Sequence, residues 1–369
     1  MSTPESKPSA PVRAKLVLSL LTVLLGWGFV ELALRIVFPS VGAIPPPVPE
    51  TLRLPWIVCD PVIGWVNKPE FVGRQVKSNQ FNVAITIDAF GARRGSPAPA
   101  APGSRILVVG DSFTFGHGVN DGETFSAQLE KTLGTVDMMN AGCVGTGHDQ
   151  QYLLAMDWLR PDSGKPKPDR IVWGFSSADI PRNTVAFRRL VDPQTGLDYG
   201  KPRFVIREGK LVLTGVPTPP AAAVEPALQA WQAAAETARS PGVRFLRRSR
   251  MLRLGWDLAA DKAEQMPLAR RIAVEFVDTC RERNVPLVIV NLPTRRWLNT
   301  RNPLNLFKKR MTDLLLRELA KEHGARVVDA TAAFLAQPDL DTLFIQDGHY
   351  SPAGHAVVAQ VLADALRQP

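Results

Sequence analysis

Arg105-Ile106-Leu107-Val108-Val109-Gly110-Asp111-Ser112-Phe113-Thr114-Phe115-Gly116 reads as a buried strand that runs into a turn. The apolar run 106–109 does not alternate with polar residues. Both of its faces must therefore be covered, as in a parallel sheet held between helix layers. The turn carries a hydroxyl, that of Ser112. In open α/β sheets the carboxyl ends of the strands are where ligands bind. A serine placed there can act as a nucleophile, and its own N–H can help hold an oxyanion. Taken alone, Gly-Asp-Ser is also what an ordinary turn looks like.

Outward from this stretch, strand-like and helix-like segments alternate. Residues 125–133 pattern as a helix, 136–140 as a second strand and 150–159 as a helix. Residues 170–175 give a third strand, 268–283 a helix, 286–291 a fourth strand and 306–322 a helix. Residues 326–329 give the fifth strand and 356–366 the last helix. This order predicts an α/β fold with a doubly wound, parallel, five-stranded sheet, carried by residues 104–369. Between residues 184 and about 261 the alternation breaks down, and Pro217-Thr218-Pro219-Pro220 and an Ala-rich run, 221–235, lie inside. This insertion is read as a cap over the strand ends, with a structural elaboration remote from substrate as the alternative.

The second chemical element is Asp347-Gly348-His349-Tyr350-Ser351-Pro352-Ala353-Gly354-His355. A serine nucleophile needs a base, and the base needs a carboxylate to hold its tautomer. One loop here offers both. His349 is the expected base. His355 falls at the start of the last helix, where a structural role is expected; the bland reading of the whole loop is a helix cap. His117, His148 and Asp149 lie on predicted loops near the strand ends, and each reads more simply as a solvated polar residue.

These blocks together resemble the SGNH (GDSL-like) hydrolase superfamily, over roughly residues 105–366 apart from the insertion. The resemblance implies a flavodoxin-like sheet and a serine triad of Ser112, Asp347 and His349. It also implies an oxyanion hole formed by the N–H groups of Ser112 and of Gly142 in Asn140-Ala141-Gly142. The single residue between Asp347 and His349 is similar to the alginate O-acetyltransferase branch of membrane-associated bacterial members. One block departs from the pattern. After the third strand the family places Gly-Asn-Asp, whereas Ala178 precedes Asp179 here, so the expected amide donor is missing unless Ser177 replaces it. Asp60-Pro61-Val62-Ile63-Gly64-Trp65 and Phe90-Gly91-Ala92-Arg93 resemble the prelude to this domain in anchored members and receive no chemical role.

The N-terminus addresses the chain to a membrane. Residues 1–15 are polar and include Lys7, Arg13 and Lys15; residues 16–30 carry no charge, and apolar residues continue to Phe38 past Glu31 and Arg35. Glu31 and Arg35 stand one helical turn apart and can pair. Residues 16–38 are read as an uncleaved anchor, residues 1–15 as a cytoplasmic tail. A cleaved signal peptide is the alternative, and Val41-Gly42-Ala43 would offer its small-residue site. Residues 39–103 read as a Pro-rich stalk followed by the prelude. The catalytic body then lies outside the inner membrane of a bacterium.

The 369 residues carry 44 Lys+Arg against 35 Asp+Glu, a formal charge of +9. No nucleic-acid-binding motif accompanies this basic balance, and no nucleic-acid partner is expected. Arg247, Arg248, Arg250 and Arg253 crowd one stretch; this reads as a solvated face, with a surface for phospholipid or anionic glycan as the alternative. Cys59, Cys143 and Cys280 have neither disulfide-framework nor zinc-ligand spacing, and no metal or cofactor is expected. The functional expectation is hydrolysis of an acyl ester, with O-acetyl esters among the candidates, on a cell-envelope glycan or lipid through an acyl-enzyme. Transfer of the acyl group to exported polysaccharide and a catalytically weak glycan-binding protein are the alternatives.

Overall fold

The computed structural model describes residues 12–37, 52–96, 103–185, 187–191, 198–218, 249, 251–252, 264–298 and 303–367. Its centre is a five-stranded sheet of β1 (Ser104–Gly110), β2 (Val136–Asn140), β3 (Arg170–Phe175), β4 (Leu287–Asn291) and β5 (Arg326–Asp329). The strands run β5-β4-β3-β1-β2 across the sheet, and every neighbouring pair is parallel. The chain leaves β1 toward β2 on one side and returns as β3 on the other. The topological switch point therefore opens between β1 and β3, directly beyond Gly110 and its partner Gly174.

Both faces of the sheet are covered, as the unbroken apolar strands require. Leu107, Val109, Ile171, Trp173 and Ile289 face one layer, formed by the helices His148–Trp158, Met266–Glu282 and Pro303–Glu322. Ile106, Val108, Val172, Val288 and Val290 face the other, formed by the helices Phe125–Leu133 and Pro352–Arg367. The five expected strands and five expected helices are all present, with ends moved by a few residues. One shift matters: His148 and Asp149, expected on a loop, occupy the first turn of a helix and are fully buried.

The segment before the sheet is more than a spacer. Its described part, residues 52–96, holds two antiparallel hairpins, Ile57–Asp60 with Gly64–Asn67 and Val72–Lys77 with Phe81–Thr86. Leu54, Trp56, Trp65, Ile85 and Ile87 pack with Phe115, Cys143 and Val144, residues of the loops that follow β1 and β2. The Trp65 indole N–H donates to Val144 O at 3.0 Å. The prelude thus covers the catalytic edge of the sheet.

Part of the expected insertion is described. The hairpin Arg203–Arg207 with Lys210–Thr214 sets Phe204 against Leu268 and Ile272, with Tyr152 and Leu153 alongside. These are helix-layer residues, so this part flanks the body. The Ala-rich run 221–235 and the arginines at 247, 248, 250 and 253 lie outside the described residues. Near the N-terminus, Val12–Val37 is one helix. Within it Arg13–Ile36, with a mean hydropathy of 2.1, is long and apolar enough to cross a membrane, a property that signal sequences share. Arg35 pairs with Glu31 at 2.9 Å.

Candidate active site

Beyond Gly110 the backbone turns at once into the short helix Ser112–Phe115. Asp111 caps it, its Oδ1 accepting the Phe113 N–H at 2.9 Å. The helix lies tightly on the sheet end because two strand residues lack side chains. A Cβ on Gly110 or on Gly174 would fall about 2 Å from Thr114 Oγ1. The second carboxylate oxygen of Asp111 meets Arg182 Nη1 at 3.2 Å. Arg182 also pairs with Asp179 and donates to Thr146 O at 3.0 Å, so one guanidinium ties together the loops after β1, β2 and β3. Burial pushes the Asp179 carboxyl well above its ordinary range, against the pull of Arg182.

Ser112 and His349, 237 residues apart, meet at this edge. His349 Nδ1 lies 2.9 Å from Asp347 Oδ1, and His349 Nε2 lies 2.8 Å from Ser112 Oγ. With the Nδ1–H given to the carboxylate, Nε2 is left to accept the Ser112 hydroxyl proton. Gly348, at φ +91°, makes the tight turn that lets Asp347 and His349 pair locally. His355 is elsewhere: its ring is buried, and Nδ1 accepts the Phe125 N–H at 3.2 Å.

The other oxygen of Asp347 is also occupied. Lys77 Nζ from the second prelude hairpin donates to Oδ2 at 3.1 Å, and His117 Nε2 lies 3.3 Å from the same atom. Burial alone would raise the Asp347 carboxyl, but its contacts with His117 and His349 hold it well below the usual carboxylate range. Ligand atoms of His117, Asp347 and His349 lie within 4.8 Å of one another. They are the residues nearest to a metal-binding set at this edge, yet each already serves a hydrogen bond, and the Lys77 ammonium opposes a cation there.

The Gly142 expectation is corrected. Its N–H donates to Asn140 Oδ1 at 3.0 Å instead of facing the serine. A Cβ at Gly142 would come within 2.6 Å of Phe115 N, so this glycine serves close packing beneath the Ser112 turn. Asn140 itself is buried and donates to Thr114 O and Ser126 Oγ, both at 2.9 Å. Three residues past Gly142, Gly145 is buried with φ +80°, and its N–H has no acceptor among the described residues. The adjacent Thr146 Oγ1 donates to Cys143 O at 2.9 Å and lies 3.3 Å from Gly110 O, beside the Ser112 loop. The signal for Gly145 was its place as the second of three glycines in Gly142-Cys143-Val144-Gly145-Thr146-Gly147, which the sequence alone does not rank.

After β3, Ala178 is exposed and Ser177 is buried. Ser177 lines a small cavity of about 30 Å³ with Ile180, Pro181, Trp297, Phe307 and Met311. Of the three polar residues read as solvated, none is. His117 joins the Asp347 network. His148 is stacked on Phe175 and its Nε2 lies 2.9 Å from Ser176 O. Asp149 forms a fully buried pair with Lys201. Arg93, given no role from sequence, is also buried. Its guanidinium donates to Phe115 O, Gly116 O, Ala84 O and Val119 O and pairs with Asp121 at 2.8 Å, fixing the backbone just past Ser112.

The model of a family described as the GDSL-like Lipase/Acylhydrolase family matches residues 108–357. No curated protein matches the chain. Solved structures do. A member of the lipolytic protein G-D-S-L family from Veillonella parvula DSM 2008 is 13% identical with a TM-score of 0.42, over 72% of this chain and 99% of that one. LAE5, an alpha/beta hydrolase from the metagenome of Lake Arreo, Spain, is 17% identical with a TM-score of 0.42, over 72% and 95%. A catalytic mutant of Axe2, an acetylxylan esterase from Geobacillus stearothermophilus, is 13% identical with a TM-score of 0.41, over 72% and 95%.

Proposed function

The chain belongs to the GDSL-like lipase/acylhydrolase family, and on that footing we propose that it is a membrane-anchored esterase using Ser112 as nucleophile, His349 as base and Asp347 as orienting carboxylate. The observation that carries this reading is the unbroken relay from Ser112 Oγ to His349 Nε2 at 2.8 Å and from His349 Nδ1 to Asp347 Oδ1 at 2.9 Å. Such a relay lets His349 take the serine proton as the hydroxyl attacks an ester carbonyl, and return it to the leaving alcohol. The N–H groups of Ser112 and Gly145 are assigned to the oxyanion. Backbone donors suffice there, so Ala178 does not abolish the chemistry. The acyl-enzyme is then released by water.

The substrate is read as an acylated glycan or lipid of the cell envelope. The apolar N-terminal helix supports this, since it would hold the site beside the membrane, outside the cytoplasm. The test is release of free acid from O-acetylated glycan and from short acyl esters, with and without a glycan acceptor. Release independent of acceptor supports the esterase. Acyl groups recovered only on the acceptor would make the chain a transferase, the reading suggested by the Asp347-Gly348-His349 spacing. No turnover on either would overturn both.

A further inference from the structure

Arg182 stands on the short segment Ser177–Thr184, the same segment in which Ala178 takes the place of an amide. Only 18% of its side chain is exposed, and the carboxylates of Asp111 and Asp179 beside it are fully buried. Three acceptors converge on a single nitrogen of the guanidinium. Nη1 donates to Asp111 Oδ2 at 3.2 Å, to Thr146 O at 3.0 Å and to Asp179 Oδ1. Asp179 is itself held from behind. Gln151 Nε2 donates to its Oδ2 at 2.8 Å, and the Trp173 indole N–H donates to Gln151 Oε1 at 2.7 Å. Two of the three acceptors adjoin the groups assigned to the oxyanion. Asp111 precedes Ser112, and its other oxygen caps the Ser112 helix through the Phe113 N–H. Thr146 follows Gly145. One nitrogen thus grips the chain a residue before one assigned donor and a residue after the other. Oxyanion donors act through their position, and a displacement of about 1 Å costs on the order of 10²-fold in rate.

We propose that Arg182 is a positioning residue that sets the spacing of the Ser112 and Gly145 N–H groups, so that a hole with two backbone donors works without an amide at position 178. This rests on the Ser112–His349–Asp347 reading given above and on the two N–H groups assigned there to the oxyanion. The bonding pattern makes a specific demand on the side chain. An arginine that grips a carboxylate with two nitrogens is not replaced by lysine. Here all three bonds leave from Nη1 alone. Nη1 has two hydrogens for three acceptors, so one hydrogen is shared, whereas an ammonium has three. Lysine, on a stem shorter by one bond, therefore meets the demand that a neutral side chain of similar length does not.

The experiment compares Arg182→Met and Arg182→Lys with the unmodified full chain in detergent micelles. Arg182→Met strands two buried carboxylates, so Asp179→Asn/Arg182→Met, which leaves one, is measured beside it, and thermal melts select the folded variants. Ester hydrolysis is the first readout. The Met variants should lose about 10²-fold in kcat with KM nearly unchanged. Affinity for a trifluoromethyl ketone, whose adduct with the serine carries the oxyanion, should fall by about the same factor. The pH profile should keep its shape, because none of the Arg182 bonds reaches His349 or Asp347. Arg182→Lys should recover kcat to within about tenfold of the unmodified chain. Amide hydrogen exchange by mass spectrometry over residues 110–117 and 143–148 is the second readout. It should be about tenfold faster in the Met variants and close to the unmodified rate in Arg182→Lys. A Lys variant as slow as the Met variants overturns the proposal. So does a folded Met variant with unchanged kcat, or a loss confined to KM, which would place Arg182 against the substrate instead. If the unmodified chain hydrolyses no ester, the function reading fails, and exchange alone decides: unchanged exchange in the Met variants overturns the positioning role, and faster exchange restored by lysine upholds it.

Discussion

Two regions, the prelude and the segments that follow β3 and β4, are built on opposite plans. The wall from the prelude is polar and saturated with partners: Gln75, Lys77 and His117 each make a bond that ends at Asp347 or at the loop after Ser112. The wall beyond β3 and β4 is apolar, with Ile180, Pro181, Trp297, Phe307 and Met311 around open space. Thr312 Oγ1 lies in that lining, buried and without a partner among the described residues. A group whose charge must be held in place needs every donor satisfied, because an unpaired polar group in a dry site costs about 1–3 kcal/mol. A surface that receives substrate must instead stay open. On the proposed reading, the prelude region holds Asp347 in place, and the apolar region is the proposed site for the acyl group, which the Met311→Trp experiment below tests.

Acid should break the polar wall first, with the largest effect. Burial holds His117 at about 4, and His148 and His355 at about 3, against an ordinary 6.5. Their folded values are depressed, so their contribution to stability is present above pH 6.5 and is lost as pH falls toward 4. Each costs about 1.4 kcal/mol per pH unit in that window. Thermal melts from pH 7 to 4 should show a steep fall, and His117→Phe should flatten it by one histidine's share. A flat profile would mean these rings are protonated in the fold.

Arg93 tests the same wall by mutation. Arg93→Met removes one buried guanidinium and leaves Asp121 and four carbonyls without their donor. Loss of one partner from a buried charge pair costs about 3–5 kcal/mol, read by denaturant titration, and turnover should fall with it. On the apolar wall the effect is smaller and different in kind. Met311→Trp should leave stability within about 1 kcal/mol and shift the preference between acetyl and longer acyl esters about tenfold. An unchanged chain-length profile would place the acyl group elsewhere.

The parts of the molecule legible in the sequence are those whose signal is local. β1 to β5 announced themselves as apolar runs because both faces are covered. Ser112 and His349 stood out because each follows a strand or precedes a helix at one edge of the sheet. His349 could be told from His355 by position relative to the last helix, and the two rings are indeed differently placed. The prelude was legible as a segment, but the roles of Lys77 and Arg93 were not, because their partners lie far along the chain. Lys77 reaches a carboxylate 270 residues away, and Arg93 grips the backbone 22 to 26 residues downstream. Nothing near either residue marks it as buried. Gly142 was misread for a related reason: an Asn two residues earlier takes its amide, and only coordinates reveal which glycine N–H is left over.

The central claim, that His349 activates Ser112 and His355 does not, is tested most directly by covalent labelling with a fluorophosphonate. The unmodified chain should label at Ser112, identified by mass spectrometry of the modified peptide. Ser112→Ala should abolish labelling, and His349→Ala should slow it on the order of 10⁴-fold. His355→Ala should label at close to the full rate even though it melts earlier. Rapid labelling of His349→Ala, with loss of labelling in a folded His355→Ala, would contradict the account.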